Sequence, residues 1–380
     1  MNKIAVYPYS NEFDPVLKNV SLLNKEYEIC TLVSPKGWRY ADEARNLNGK
    51  TIRINSELSV ETLGGIDTLL ITDFKTVYPN VKLLEKTIID NIIAVLAVFD
   101  CLICCTRLNK VYLDLLEEAC LDNDCKFINW VEIKSLEEFG FNEREIDFLH
   151  EYPSLEVINT PIVAVAGMYY NTNKFEIALS LRKNFLESGY KVAQVGSSHY
   201  SELFDFHPFP GFMFNPQVDE ALKISLFNRY IKQIEKESSP DVIILSVPGA
   251  MQTISENFPA GFALLPYLAF NAVRVDFLVL CTYFVTTETF FEEFSASCRY
   301  KFGCPVDCFH VSDFVIDISA SREIRKVITK KYDRKLVKQK LIELENSDIP
   351  KFDLLDAENQ EKLFDLVMEK IATDFDFARG

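Results

Sequence analysis

The chain has 380 residues, of which 48% are hydrophobic, 13% aromatic and 25% charged. That length is about two and a half times the usual 150-residue domain, so two packed domains are expected, and collagenous, low-complexity and disordered readings are excluded. With 40 Lys and Arg against 56 Asp and Glu, the formal net charge is −16, which argues against a nucleic-acid partner because that affinity comes mainly from cationic contacts to phosphate.

Met1–Tyr9 carry no apolar export core and no small-residue cleavage pattern. The longest apolar stretch, Ile92–Phe99 followed by Cys101–Cys105, is too short and too interrupted to span a bilayer. The expectation is a cytoplasmic protein without membrane contact, its 10 cysteines reduced. Across residues 1–135, short β-branched runs alternate with helical patterns. Strands are predicted at Ile4–Tyr7, Ile29–Val33, Thr51–Ile54, Thr68–Thr72, Leu102–Cys105 and Phe127–Trp130, and helices at Pro15–Leu23, Leu83–Val98 and Lys110–Cys120. This alternation predicts an α/β class with mainly parallel sheets, here a Rossmann-like α/β domain. No G-x-G-x-x-G follows a strand, so dinucleotide binding has no support. The loop Ser34–Arg39 follows the second strand, where open sheets hold ligands, and reads either as a ligand loop or as a plain turn.

Residues 136–158 are polar and acidic, with Pro153 near their end, and read as a linker. A second alternation then predicts a P-loop-like α/β domain over 159–318. Its strands are Ile162–Ala166, Val192–Val195, Val242–Leu245, Phe277–Cys281 and Val306–His310, and its helices Lys174–Ser188, Val218–Lys236 and Thr287–Arg299. Residues 319–380 read as a C-terminal helical extension packing on that domain. It holds a predicted helix at Ile324–Glu345, a strand-like Phe352–Leu355 and a last helix from Asp356 with Leu363, Val367 and Ile371 on one face.

The most informative stretch runs from Pro161 through Gly167 to Phe175. A buried strand ends in Gly167, a polar loop follows, and Lys174 opens an amphipathic helix, the layout in which backbone amides and a helix N-terminus hold phosphate. The candidate ligand residues are Gly167, Asn171, Thr172, Asn173 and Lys174, for a nucleotide or another phosphate ligand. The loop departs from G-x-x-x-x-G-K-[ST]: six residues rather than five separate Gly167 from Lys174, Asn173 stands for the second Gly, and Phe175 stands for the metal-binding hydroxyl. Strand Asp241–Ser246 ends in Ser where a carboxylate would help hold Mg²⁺. An anion-binding turn and an ordinary helix cap both remain readings, and NTP hydrolysis is in doubt.

His199, Glu202, Asp205 and His207 lie in an aromatic-rich segment after the second strand of this domain. They read either as an acid–base group beside the anion loop or as part of an apolar lid or docking segment, Phe204–Phe214, that otherwise folds onto its own core. Cys298, Cys304, Cys308 and His310 gather soft ligands in 13 residues, but their spacing is not that of structural zinc and no metal is expected. No catalytic residue is assigned.

The run Gly167–Phe175, with Leu181, Gly189–Val192, Gly196, Leu203–Phe204 and Phe209–Gly211, resembles the P-loop-type domain of two-domain bacterial proteins that include D-amino-acid N-acetyltransferases. Lys3–Tyr9, Phe13–Pro15, Tyr27–Ile29 and Leu32–Trp38 resemble clostridial-type natural-product peptide maturation system proteins, companions of radical SAM maturases of cysteine-rich peptides. The resemblance implies an accessory protein of peptide maturation whose partner is the maturase, the precursor peptide or a second copy of the chain. The alternative it leaves is a nucleotide- or acyl-CoA-dependent enzyme, an N-acyltransferase or an NTP-driven peptide-modifying activity.

Overall fold

The computed structural model describes the chain apart from residues 39, 41–42, 48, 75–80, 133–135, 170–171, 254, 257, 259, 285–286, 326, 345–347 and 380. Two compact units emerge: Met1–Glu132 with His199–Asp205, and Ile133–Ser198 with Phe206–Gly380.

The first unit is built on β1 (Asn2–Tyr7), β2 (Tyr27–Val33), β3 (Ala44–Leu47), β4 (Lys50–Asn55), β5 (Thr68–Ile71), β6 (Cys101–Cys104) and β7 (Lys126–Asn129), with helices α1 (Asp14–Lys18), α2 (Val81–Ile93) and α3 (Lys110–Asp122). The sheet order is β3-β4-β2-β1-β5-β6-β7. All neighbours are parallel except β3 and β4. The order reverses at β1, and such a switch point is where open α/β sheets offer a crevice. Ile4, Val6, Leu69, Leu70, Leu102 and Ile103 are buried on both faces of the sheet, as covered parallel strands require. Two expectations change here. Edge strand β3 was not foreseen because only Leu47 of its four residues is buried, leaving no apolar alternation to read. The helix expected over Pro15–Leu23 stops at Lys18: the Asn19 amide donates to Pro15 O at 2.8 Å and its backbone leaves the helical region, so a 3-10 turn at Val20–Leu22 follows.

The second unit contains α4 (Glu143–Glu151), β8 (Ile162–Gly167), α5 (Lys174–Glu187), β9 (Val192–Gly196), β10 (His207–Pro208), α6 (Glu220–Ser238), β11 (Val242–Ser246), α7 (Leu264–Ala272), β12 (Phe277–Thr282), α8 (Glu288–Phe302) and β13 (Cys308–Val311). It continues with β14 (Phe314–Ile316), α9 (Ile318–Ile324), β15 (Thr329–Lys331), α10 (Arg334–Glu343), β16 (Lys351–Phe352) and α11 (Ala357–Arg379). Its main sheet runs β10-β9-β11-β8-β12-β13-β16, every pair parallel. Strand β8 is central. Ala164 and Ala166 face the core built with α6, α7 and α8, while Val163 and Val165 face α5 and α11.

Residues 136–158 are not a bare linker. They hold a 3-10 turn and α4, capped by the Asn142 side chain, and Phe139, Phe141 and Leu149 are buried in the α6-side core. The helix expected over Ile324–Glu345 is interrupted, because Arg325 takes a φ of 56° at the end of α9, β15 pairs antiparallel with β14, and Asp333 caps α10 afresh. The strand-like Phe352–Leu355 reduces to β16 at the sheet edge. Among the described residues no helix is long and apolar enough to cross a membrane.

Candidate functional site: the loop between β8 and α5

Strand β8 ends in Gly167, where any side chain would have to displace the side chains that close over it. A Cβ there would lie 2.6 Å from Lys174 Cδ and 2.7 Å from Thr172 Oγ1. Thr172 is buried and its hydroxyl donates to Tyr169 O at 3.2 Å, closing the loop on itself. Asn171 lies outside the described residues. Asn173 has a φ of 62°, the left-handed backbone that glycine supplies in the unmodified motif and that Asn tolerates better than most residues. Its carbonyl starts α5 by accepting from Ile177 N at 3.0 Å.

The Asn173 side chain has a second task. Its Oδ1 accepts from Ser312 Oγ at 2.7 Å and sits 3.3 Å from His310 Nε2. His310 Nδ1 accepts from Leu354 N at 3.1 Å, so the proton of the neutral ring lies on Nε2 and that nitrogen donates to Asn173. His310 is fully buried, and burial pushes it down to about 4, which keeps the ring neutral at physiological pH. The loop is also held from both sides of β8: Met168 N donates to Cys281 O at 2.8 Å, and Gly167 O accepts from Met251 N at 3.1 Å.

Lys174 is the charge of this site. Its stem passes over Gly167 and its Nζ donates to Gly249 O at 3.0 Å and to Val247 O at 3.5 Å; among the described residues no carboxylate pairs with it. Burial pushes its pKa down to about 8, so the amine is still mostly protonated at neutral pH. The same burial pushes the neighbouring Cys281 thiol up to about 12. Neither position that would hold Mg²⁺ in the full motif keeps its usual group: Phe175 replaces the hydroxyl residue after the lysine, and β11 ends in Ser246 rather than a carboxylate.

The histidine-rich segment divides between the two units. His199, Glu202 and Asp205 belong to the first unit, whereas His207 lies on β10 beside Val195 in the second. Burial lowers the His199 pKa, with Asp73 opposing and Arg107 assisting. The adjacent Tyr200 hydroxyl accepts from Asp73 N at 3.1 Å, and Thr106 Oγ1 donates to Asp73 Oδ1 at 3.1 Å. Asp205 closes a 3-10 turn at a φ of 58°. Phe204, Phe206, Phe209 and Phe212 are buried, so most of the proposed lid is core. Cys298 and Cys304 pack in the α6-side core and Cys308 in the α5-side core, with burial pushing the first two thiols up to about 12. Among the described residues no group of three or more His, Cys, Asp or Glu is arranged to hold a metal ion.

The switch point of the first unit is closed differently. Tyr9 is fully buried, its hydroxyl is bonded to Asp14, and Arg45 Nε donates to that hydroxyl at 2.8 Å. Ser34 Oγ donates to Tyr9 O at 3.0 Å and Thr72 Oγ1 to Pro8 O at 2.5 Å. The loop that Ser34 opens is a turn whose Trp38 joins the core and whose Lys36 pairs at the surface with Glu57; Arg39 lies outside the described residues. Sequence reading missed Ser312 and the Val247 and Gly249 carbonyls, which carry no local signal. It grouped His310 with Cys298, Cys304 and Cys308, expecting no metal there, and did not see it as the anchor of Asn173.

The two units thus define a two-part, mostly parallel α/β protein whose second sheet carries a lysine-bearing loop at its central strand. The chain is similar over its whole length to a DUF1611 family protein from Anabaena variabilis ATCC 29413, at 13% identity, with 97% of this chain and 100% of that chain covered and a TM-score of 0.59. At that identity the likeness concerns the fold. More distant matches are a putative oxidoreductase, YvaA, from Bacillus subtilis (14% identity, 48% and 52% of the two chains, TM-score 0.26) and aspartate semialdehyde dehydrogenase II from Vibrio cholerae (11%, 64% and 68%, 0.22). No protein-family model and no curated protein matches the sequence.

Proposed function

We propose that the second unit binds a phosphorylated ligand, a nucleotide or another phosphate ester, in the loop Gly167–Lys174. The observation that carries this reading is Lys174, a half-buried cation at the N-terminus of α5 whose described partners are two carbonyls. Partly desolvating an ammonium without a counter-ion is costly, and an anion arriving at a helix N-terminus offsets that cost. Phe175 and Ser246 weigh against metal-dependent NTP hydrolysis. Peptide maturation is the setting we propose for this binding, with the maturase, its precursor peptide or a second copy of the chain as partner. That part rests on the resemblance of Lys3–Tyr9 and Leu32–Trp38 alone.

Thermal unfolding with ATP, GTP and acetyl-CoA, each with and without Mg²⁺, tests the binding. At a hundredfold excess over Kd a true ligand stabilises by about 2.7 kcal/mol, and Lys174→Ala removes the shift. No shift with any phosphate ligand overturns the reading; a shift with acetyl-CoA alone redirects it to the acyltransferase. Co-purification of the full chain with a maturase and its precursor peptide tests the setting, and no association with either overturns it.

A further inference from the structure

Along β11, Val242 and Ile244 pack into the α5-side core while Ile243 and Leu245, with Val247 just beyond the strand, pack into the opposite one. Strand alternation therefore turns Ser246 toward the α5 side, where Lys174 begins its helix. Ser246 pairs in register with Val165, two residues before Gly167, and the carbonyl of the next residue, Val247, accepts from Lys174 Nζ. Ser246 is 2% exposed, and among the described residues its hydroxyl has no hydrogen-bond partner. The hydroxyls of Thr172 and Ser312 at this loop have partners, Tyr169 O and Asn173 Oδ1 respectively. Among the described residues, folding thus leaves a buried donor unpaired near a half-buried cation that lacks an anion, at the mouth of a single turn.

We propose that Ser246 donates a hydrogen bond directly to the ligand phosphate, so that the site takes phosphate esters free of divalent metal. This rests on the reading of the loop given above. A carboxylate at the end of this strand serves a metal: it accepts from the metal's waters and would repel a bare phosphate dianion. A hydroxyl reverses both properties, since it donates to phosphate oxygen and carries no charge. Phe175 makes the same exchange at the other metal-supporting position, replacing a ligand hydroxyl by a ring. The two substitutions are consistent with each other: together they leave Lys174 and Ser246 as the donors for an anion that arrives without its cation.

Calorimetric titration of the full chain with inorganic phosphate, AMP and coenzyme A, in EDTA and in Mg²⁺, tests this. Wild type should bind a phosphate ester in EDTA and gain nothing from Mg²⁺. Ser246→Ala should weaken binding by about tenfold, the size of one hydrogen bond to a charged group, and should raise the Tm of the ligand-free protein because an unpaired buried hydroxyl is removed. Ser246→Thr should keep binding. Ser246→Asp should bind poorly in EDTA and recover with Mg²⁺. Wild-type affinity in Ser246→Ala, with binding still lost in Lys174→Ala, overturns the role of Ser246 and leaves the phosphate reading standing. Binding by wild type only in Mg²⁺ overturns the metal-free class. No binding by wild type overturns both. Binding of inorganic phosphate that Ser246→Ala leaves unchanged marks a simple anion site and overturns the ester class.

Discussion

In the first unit the chain leaving β1 runs through Tyr9, whose hydroxyl bonds Asp14 and receives Arg45 Nε at 2.8 Å. In the second unit the chain leaving β8 runs through Gly167 to Lys174, whose Nζ has, among the described residues, only the carbonyls of Val247 and Gly249. Both loops leave a strand at which the order of its sheet reverses, the place where open α/β sheets accept ligands. The first is filled by an aromatic ring whose polar end is already bonded to a carboxylate and a guanidinium. The second keeps a glycine so that a lysine can lie across the strand end, and among the described residues that lysine has no anionic partner. Topology supplies the position; the side chains decide whether anything is left there for a ligand to satisfy.

The strongest test of that contrast is Lys174→Met. Phosphate binding should fall by about a hundredfold, the loss of a charge-assisted contact in a buried site, and calorimetry measures it. The ligand-free variant should nonetheless be more stable, by about 3 kcal/mol at neutral pH, because burial lowers the lysine from 10.5 to about 8. The sign follows from proton binding: between about 8 and 10.5 the unfolded chain holds the proton more tightly, so wild-type stability rises with pH across that window. Lys174→Met should lack the rise in urea titrations at each pH.

His310 gives an acid counterpart of similar size. Its folded pKa of about 4 lies below the ordinary 6.5, so its contribution is complete above pH 6.5 and is lost as the pH falls toward 4, to the extent of about 3 kcal/mol. His310→Gln should flatten this acid limb of the stability profile. It should also loosen Asn173, read as weaker phosphate binding at pH 7.

Gly167→Ala places a methyl group 2.6 Å from Lys174 Cδ and 2.7 Å from the bonded Thr172 hydroxyl. The expected cost is about 2 kcal/mol in urea unfolding, with phosphate affinity falling as the lysine stem is displaced. Asn173→Ala should cost about 1–2 kcal/mol, since it loses the bonds to Ser312 and His310 and keeps a positive φ. Asn173→Gly, which restores the motif residue, should cost less because the backbone is relieved. Arg45→Ala is the smallest effect, below about 1 kcal/mol for a partly exposed ion pair, with no change in phosphate affinity. A change in that affinity would break the contrast between the two loops.

Much of this was legible in the sequence for local reasons. The run Ile162–Ala166 is apolar at every position, which only a central, doubly covered strand tolerates, and the glycine, the polar loop and Lys174 that follow mark a turn into a helix. The departure at Asn173 was legible too, because Asn is among the few residues that accept the backbone a missing glycine leaves behind. The tail was misread for the converse reason. Ile324–Glu345 has helical periodicity throughout, but the pairing of β15 with β14 breaks it, and that pairing depends on a strand outside the window.

What only the tertiary structure decided are the relations between distant residues. Periodicity and turn chemistry act over a few positions, so strands, helices and the anion-type loop follow from neighbouring side chains. The bond from His310 to Asn173, which spans 137 positions, needs the register of β13 beside β12. The carbonyls that hold Lys174 need β11 beside β8. The burial that lowers the lysine and the partnerless hydroxyl of Ser246 need the whole α5-side core. Strand register and core packing are collective outcomes of burying both faces of a sheet, and among the described residues they leave the Ser246 hydroxyl without a partner and Lys174 without a carboxylate at the loop that resembles a phosphate motif.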